Sequence, residues 1–122
     1  MYRKQVVFVY GTLKRGCPNH FFLDQARLLG VARTVERYAL YEDEYPRLYK
    51  GEQVSRIQGE VYEIDEETLA RLDRLEDHPH SYRREEALVE LGPGRTLSAW
   101  IYFSPSGRGR HIPQGVWPCG QE

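Results

Sequence analysis

"VVFVYGTLKRG", residues Val6 to Gly16, runs five apolar residues into a glycine and a threonine. A short run of β-branched and aromatic side chains suits a strand buried on both faces, and Gly11 ends it with the freedom a sharp turn requires. Beyond that turn the backbone N–H groups of Gly11, Thr12 and Leu13 can converge as a nest for an anion, a carboxylate as readily as a phosphate. Two familiar loops are excluded. Gly11 and Gly16 match half of a phosphate-binding G-x-x-x-x-G-K-[ST] loop, but Cys17 and Pro18 stand where Lys and Ser or Thr are needed. The dinucleotide pattern G-x-G-x-x-G is absent, so no cradle for ATP or NAD is legible.

Working outward, "LLGVARTVERYALYEDEYPRLY" (Leu28 to Tyr49) holds two short apolar pieces, Ala32 to Val35 and Tyr38 to Tyr41, ending at Pro46. "IQGEVYEI" (Ile57 to Ile64) sets Ile57, Gly59 and Val61 against Gln58 and Glu60, the period of two of a half-buried strand. Two more strands are expected at Glu85 to Leu91 and Thr96 to Phe103, joined by the turn "GPGR", with an irregular Gly- and Pro-rich tail from Pro105 onward. The one clear helix is "DEETLARLDRLED", Asp65 to Asp77. Asp65 caps the free N–H groups, Glu66 and Glu67 suit the positive end of the dipole, and Pro79 prevents continuation. Many strands, tight turns and one short helix favour an α+β domain with a curled sheet, and nothing divides residues 1–122 into more than one domain.

Leu69, Leu72 and Leu75 form one stripe of that helix at about 100° per residue, and Glu76 falls between Leu69 and Leu72 on the same wheel. A carboxylate among leucines costs several kcal/mol unless it is paired, hydrogen-bonded or neutralised. Either the helix end frays and frees Glu76 to water, or Glu76 is a pocket carboxylate with a raised pKa, as a general base working near neutrality requires. Asp73 and Asp77, on the flank, read as solvated. In "EDHPHSYRR", His78 and His80 have no third ligand spaced to complete a metal site, and none is expected. Tyr82 and Arg84 alternate and can both project toward whatever Glu76 faces, or serve as an edge aromatic and a surface cation.

Composition narrows the partners. Lys and Arg number 17 against 18 Asp and Glu, interspersed, so no basic stripe tracks a phosphate backbone and nucleic acid is not expected. No apolar run approaches the ~20 residues of a membrane span, and the N-terminal stretch has no signal-peptide pattern, which points to a cytoplasmic protein without membrane contact. Cys17 and Cys119 lack a metal or redox spacing and are expected as unpaired thiols. The sequence sets no oligomeric state.

Taken together, "VYGTLKRGCPNH" and, some sixty residues later, "LDRLEDHPHSYRR" resemble the gamma-glutamylcyclotransferase-like family, in its AIG2-like branch that includes gamma-glutamylamine cyclotransferase. The resemblance rests on Tyr10, Gly11, Thr12, Leu13, Gly16 and Asn19, on "GEVYEI" (Gly59 to Ile64), and on Glu76, Pro79, Tyr82 and Arg84. The "YPRLY" segment is similar to the family's Pro-containing loop. The resemblance implies a small mixed β-barrel with flanking helices and a cavity at one end. It also implies conversion of a γ-glutamyl amine or γ-glutamyl amino acid to 5-oxoproline plus free amine, without metal or cofactor. Glu76 would be the acid/base, and Tyr10, Gly11, Thr12, Leu13 and Tyr82 would bind substrate. The alternative is a non-catalytic module on the same fold that binds a carboxylate or other small anion. Neither the Asp43 to Gly51 loop nor the tail identifies the leaving group.

Overall fold

The computed structural model describes residues 4–118. Seven strands and one α-helix follow in the order β1 (Gln5–Val9), β2 (Arg27–Glu42), β3 (Pro46–Tyr49), β4 (Ser55–Ile64), α1 (Glu66–Leu75), β5 (Arg83–Glu90), β6 (Thr96–Phe103) and β7 (Arg110–His111), with a 3-10 turn at His20–Leu23. The pairing runs β2-β4-β1-β6-β5, and β5 returns to β2 through Arg33–Glu90 and Thr34–Val89, closing a five-stranded barrel. β1 and β6 are parallel at Val7–Trp100 and the other pairs antiparallel, so the barrel is mixed.

The opening strand is apolar on both faces because two cores meet across it. Phe8 points into the barrel with Ile57, Val61, Val89, Ala99 and Ile101. Val7 and Val9 point outward, under Leu69 and Leu72 of α1 and Leu23 of the 3-10 turn. Opposite β1, Gly59 admits no side chain: a Cβ there would meet the Val9 carbonyl oxygen at 2.4 Å.

The two pieces expected between Leu28 and Tyr49 form one strand. β2 runs 16 residues with irregularities between Leu28 and Gly30 and between Arg33 and Arg37, so that its first half belongs to the barrel and its second half pairs with β3 and β7. Pro46 does not end structure but begins β3, the first-residue position at which a strand tolerates the missing donor. Asp65 caps α1, accepting from the Thr68 N–H at 2.7 Å, and the helix stops at Leu75, with Glu76 as its C-cap. Beside this α-helix, the described residues hold only the 3-10 turn where flanking helices were expected.

Most of the tail is irregular yet anchored. Ile112 and Trp117 are buried, the Gln58 N–H donates to the Gly115 carbonyl at 3.0 Å, and the buried Lys14 ammonium donates to the Trp117 carbonyl at 2.7 Å. This return brings Trp117 to the opening loop, and the expectation of unpaired thiols is corrected: Cys17 is disulfide-bonded, because distance along the sequence does not measure distance in the fold. Cys119 lies outside the described residues. No helix among them is long and apolar enough to cross a membrane.

Candidate active site

At one end of the barrel a cleft of about 730 Å³ is lined by all six residues singled out in the sequence, Tyr10, Gly11, Thr12, Leu13, Glu76 and Tyr82. The opening loop is held in shape by Asn19, whose backbone N–H donates to the Thr12 carbonyl at 2.9 Å and whose side-chain amide donates to Thr12 Oγ1 at 3.0 Å. The Gly11 carbonyl accepts from the Lys14 N–H at 3.0 Å, which closes the turn. Gly11 is obligatory for a local reason: a Cβ would lie 2.3 Å from Pro46 Cγ, so the loop packs directly on the start of β3. The N–H groups of Gly11, Thr12 and Leu13 take no acceptor within the described residues, as an anion-receiving nest requires.

Glu76 stands across the cleft. Its N–H still bonds the Leu72 carbonyl at 2.9 Å, so the residue keeps its helical direction toward the apolar stripe although the helix ends one position earlier. The next residue, Asp77, has φ 53°, a left-handed turn that Asp tolerates, and leads the chain away with the His80 and Ser81 N–H groups on its carbonyl. Fraying is therefore not what happens to Glu76. Burial pushes its carboxyl up to about 7. Burial also raises the hydroxyl pKa of Tyr10, with further contributions from Glu76 and Tyr82, and takes Tyr82 to about 12, so both phenols stay protonated hydrogen-bond donors. Tyr10 donates to the Tyr102 carbonyl at 2.7 Å and Tyr82 to the Pro46 carbonyl at 2.8 Å.

The family model described as gamma-glutamyl cyclotransferase, AIG2-like, matches residues 7–119. The chain belongs to that family. A Methanocaldococcus jannaschii relative is 42% identical over 112 residues, covering 91% of this chain and 93% of its own length. The gamma-glutamylaminecyclotransferase of Rattus norvegicus is 39% identical over 115 residues, covering 79% of this chain and 75% of its own. Among solved structures, the crystal structure of an AIG2-like protein from Mus musculus superimposes with a TM-score of 0.79 at 35% identity, covering 87% of this chain and 80% of that one.

In this gamma-glutamyl cyclotransferase family member, two sequence readings need correction. Asp73 is not a solvated flank residue: it accepts from Arg84 Nε at 2.8 Å, Arg84 Nη2 at 3.1 Å and the Tyr102 hydroxyl at 2.6 Å. Burial alone would raise its pKa, but these donors bring it below the usual carboxylate value. Arg84, which is not among the residues lining the cleft, binds Asp73 and lies over the Trp100 ring at 4.3 Å. The i, i+3 spacing of Asp73 and Glu76 on one helix was the available signal for a second inward acid. His78 Nδ1 accepts from the Arg84 N–H at 3.2 Å, while the exposed His80 lies at the cleft rim. Leu75, grouped with the buried stripe, is 37% exposed and also lines the cleft. Among the lining residues that were not singled out as site residues are Pro46, Arg47, Ser106 and Arg108.

Proposed function

We propose that the whole chain is a single cyclotransferase domain that converts a γ-glutamyl amine or γ-glutamyl amino acid to 5-oxoproline and the free amine, with Glu76 as general acid/base. The observation that carries the reading is a half-buried carboxyl, pushed up to about 7 by loss of water, that shares a cleft of small-molecule size with a loop of unpartnered N–H groups. Glu76 takes a proton from the substrate's α-ammonium. The freed amine then attacks the substrate's own γ-carbonyl: a C–N bond forms, the γ-amide C–N bond breaks, Glu76 returns the proton to the departing nitrogen, and the second proton shed by the attacking nitrogen leaves with the released amine as its ammonium form. A carboxyl near neutrality serves both halves, and such catalysis typically contributes about 10²–10⁴-fold. Nucleophile and electrophile share one molecule, so holding its folded rotamer supplies on the order of 7–11 kcal/mol. The Tyr10 to Leu13 loop grips the γ-glutamyl part and stabilises developing charge, and Tyr82 sets the wall that carries Glu76. The names of the relatives, gamma-glutamylaminecyclotransferase among them, support the same reaction class.

The test is to incubate the protein with a panel of γ-glutamyl compounds, including γ-glutamyl-ε-lysine, and follow 5-oxoproline by mass spectrometry. Formation by the wild type and not by a folded Glu76→Gln variant is expected. No product from any compound, or an active Gln variant, overturns the reading.

A further inference from the structure

The rim of the cleft carries a cation that the proposed acid/base chemistry does not use. Arg47, the second residue of β3, alternates with the buried Pro46 and Leu48, so its side chain leaves the core and lines the cleft beside Tyr45, Ser106 and Arg108. It is only one-fifth exposed, and its hydrogen bonding is poor. Nη1 reaches Ser104 Oγ at 3.4 Å, Nη2 lies 3.6 Å from Asp43 Oδ2, and Nε is buried with no acceptor. A guanidinium has five N–H groups, and in structures such buried donors find partners, so one this incompletely bonded at a cleft wall calls for an acceptor.

Glu76 is not that acceptor, since among the described residues Arg47 reaches only Ser104 and Asp43 and no hydrogen bond or ion pair joins it to Glu76. Nor is Asp43 a full partner: it is nearly half exposed, on the loop that enters β3, and its contact exceeds hydrogen-bond length. Arg47 nevertheless reaches the chemistry, because its charge is felt at the hydroxyls of both Tyr10 and Tyr82. Arg108, exposed and lining the same cleft, adds a second positive charge, while Asp77 is already engaged by the Ser81 hydroxyl at 2.8 Å.

We propose that Arg47, with Arg108, forms a carboxylate subsite for the leaving portion of the substrate. Favoured compounds are then γ-glutamyl amino acids or peptides with a free carboxylate close to the scissile nitrogen, over γ-glutamyl amines without one. This rests on the cyclotransferase reading, in which the γ-glutamyl part lies against the opening loop and Glu76 and the leaving portion points to the rim. A planar fork matches a carboxylate bidentately, which a lone ammonium cannot do.

The experiment compares γ-glutamyl-alanine with γ-glutamyl-alaninamide, which differ only in that carboxylate, in the wild type, Arg47→Gln and Arg47→Lys. Both turnover and calorimetric binding are measured. The wild type is expected to favour the acid in kcat/KM by roughly tenfold or more, the scale of one hydrogen bond to a charged group. Arg47→Gln collapses that ratio toward one, and Arg47→Lys restores part of it. An equal response to both compounds in the wild type, or a parallel loss on both in Arg47→Gln with the ratio intact, overturns the subsite. Failure of the reaction itself is distinguishable: if neither compound is cyclised, calorimetry still reads the preference for the acid and its loss in Arg47→Gln.

Discussion

The Tyr82 hydroxyl donates to the Pro46 carbonyl at 2.8 Å, tying the segment that follows Glu76 to the strand on which the Gly11 loop packs. The two walls of the cleft are thereby held at a fixed separation by one bond between residues 36 positions apart.

Tyr82→Phe removes that bond and little else. Loss of one neutral hydrogen bond costs about 0.5–1.5 kcal/mol of stability. Because small misplacements are costly in an intramolecular reaction, kcat is expected to fall on the order of tenfold or more, with KM changing less. Thermal denaturation and a steady-state 5-oxoproline assay on the same preparation check both parts.

Gly11→Ala attacks the same junction from the loop. The new methyl would sit 2.3 Å from Pro46 Cγ, and Pro46 cannot retreat freely because its carbonyl holds Tyr82 and its backbone pairs with Glu42 of β2. Overpacking of this kind costs about 1–3 kcal/mol. Activity is expected to fall further than stability, since the shift moves the Thr12 and Leu13 N–H groups. A variant as stable and active as the wild type would show that the loop does not pack on Pro46.

How much of this was legible in the sequence depends on whether a residue's partners lie on its own element. Val6 to Tyr10 read as doubly buried because both faces of β1 are apolar, and Glu76 stood out because the helix wheel alone puts it among leucines. β2 read as two pieces because its irregularity between Arg33 and Arg37 interrupts the apolar pattern inside a continuous strand. Asp73 was misread because its partners Arg84 and Tyr102 come from β5 and β6, and Cys17 because the tail returns to the opening loop. Arg47 gave no signal, since its setting is made by Asp43, Ser104 and Arg108, brought together only by the fold.

Asp73→Asn tests the network that ties α1 to β5 and β6. The native carboxyl pKa lies below its ordinary value, so its contribution to stability is present above pH 3.8 and is lost as pH falls through the native value. The variant leaves Arg84 over Trp100 without its carboxylate, and with both partners about one-fifth exposed the cost is about 1–3 kcal/mol near neutrality. Urea titrations at pH 7 and pH 3 are expected to show a clear deficit at the first and a smaller one at the second. An equal deficit at both would assign the loss to shape and not charge.

Glu76 gives the opposite sign. Its pKa rises from 4.5 to about 7 on folding, so the native state binds the extra proton and stability declines as pH climbs between those values, then levels. The full cost of the buried charge is roughly 3 kcal/mol at about 1.4 kcal/mol per pKa unit. Glu76→Gln does not ionise, so its stability relative to the wild type improves from pH 4.5 to pH 8 by that order, and taking the difference between the two pH values cancels any packing cost of the amide. In the same window the wild-type kcat/KM is expected to rise about tenfold per pH unit and level near 7, because only the ionised carboxyl accepts the substrate's proton. A limb near 4.5, or pH-independent relative stability of the Gln variant, would mean that Glu76 is solvated and unsuited to the role assigned to it.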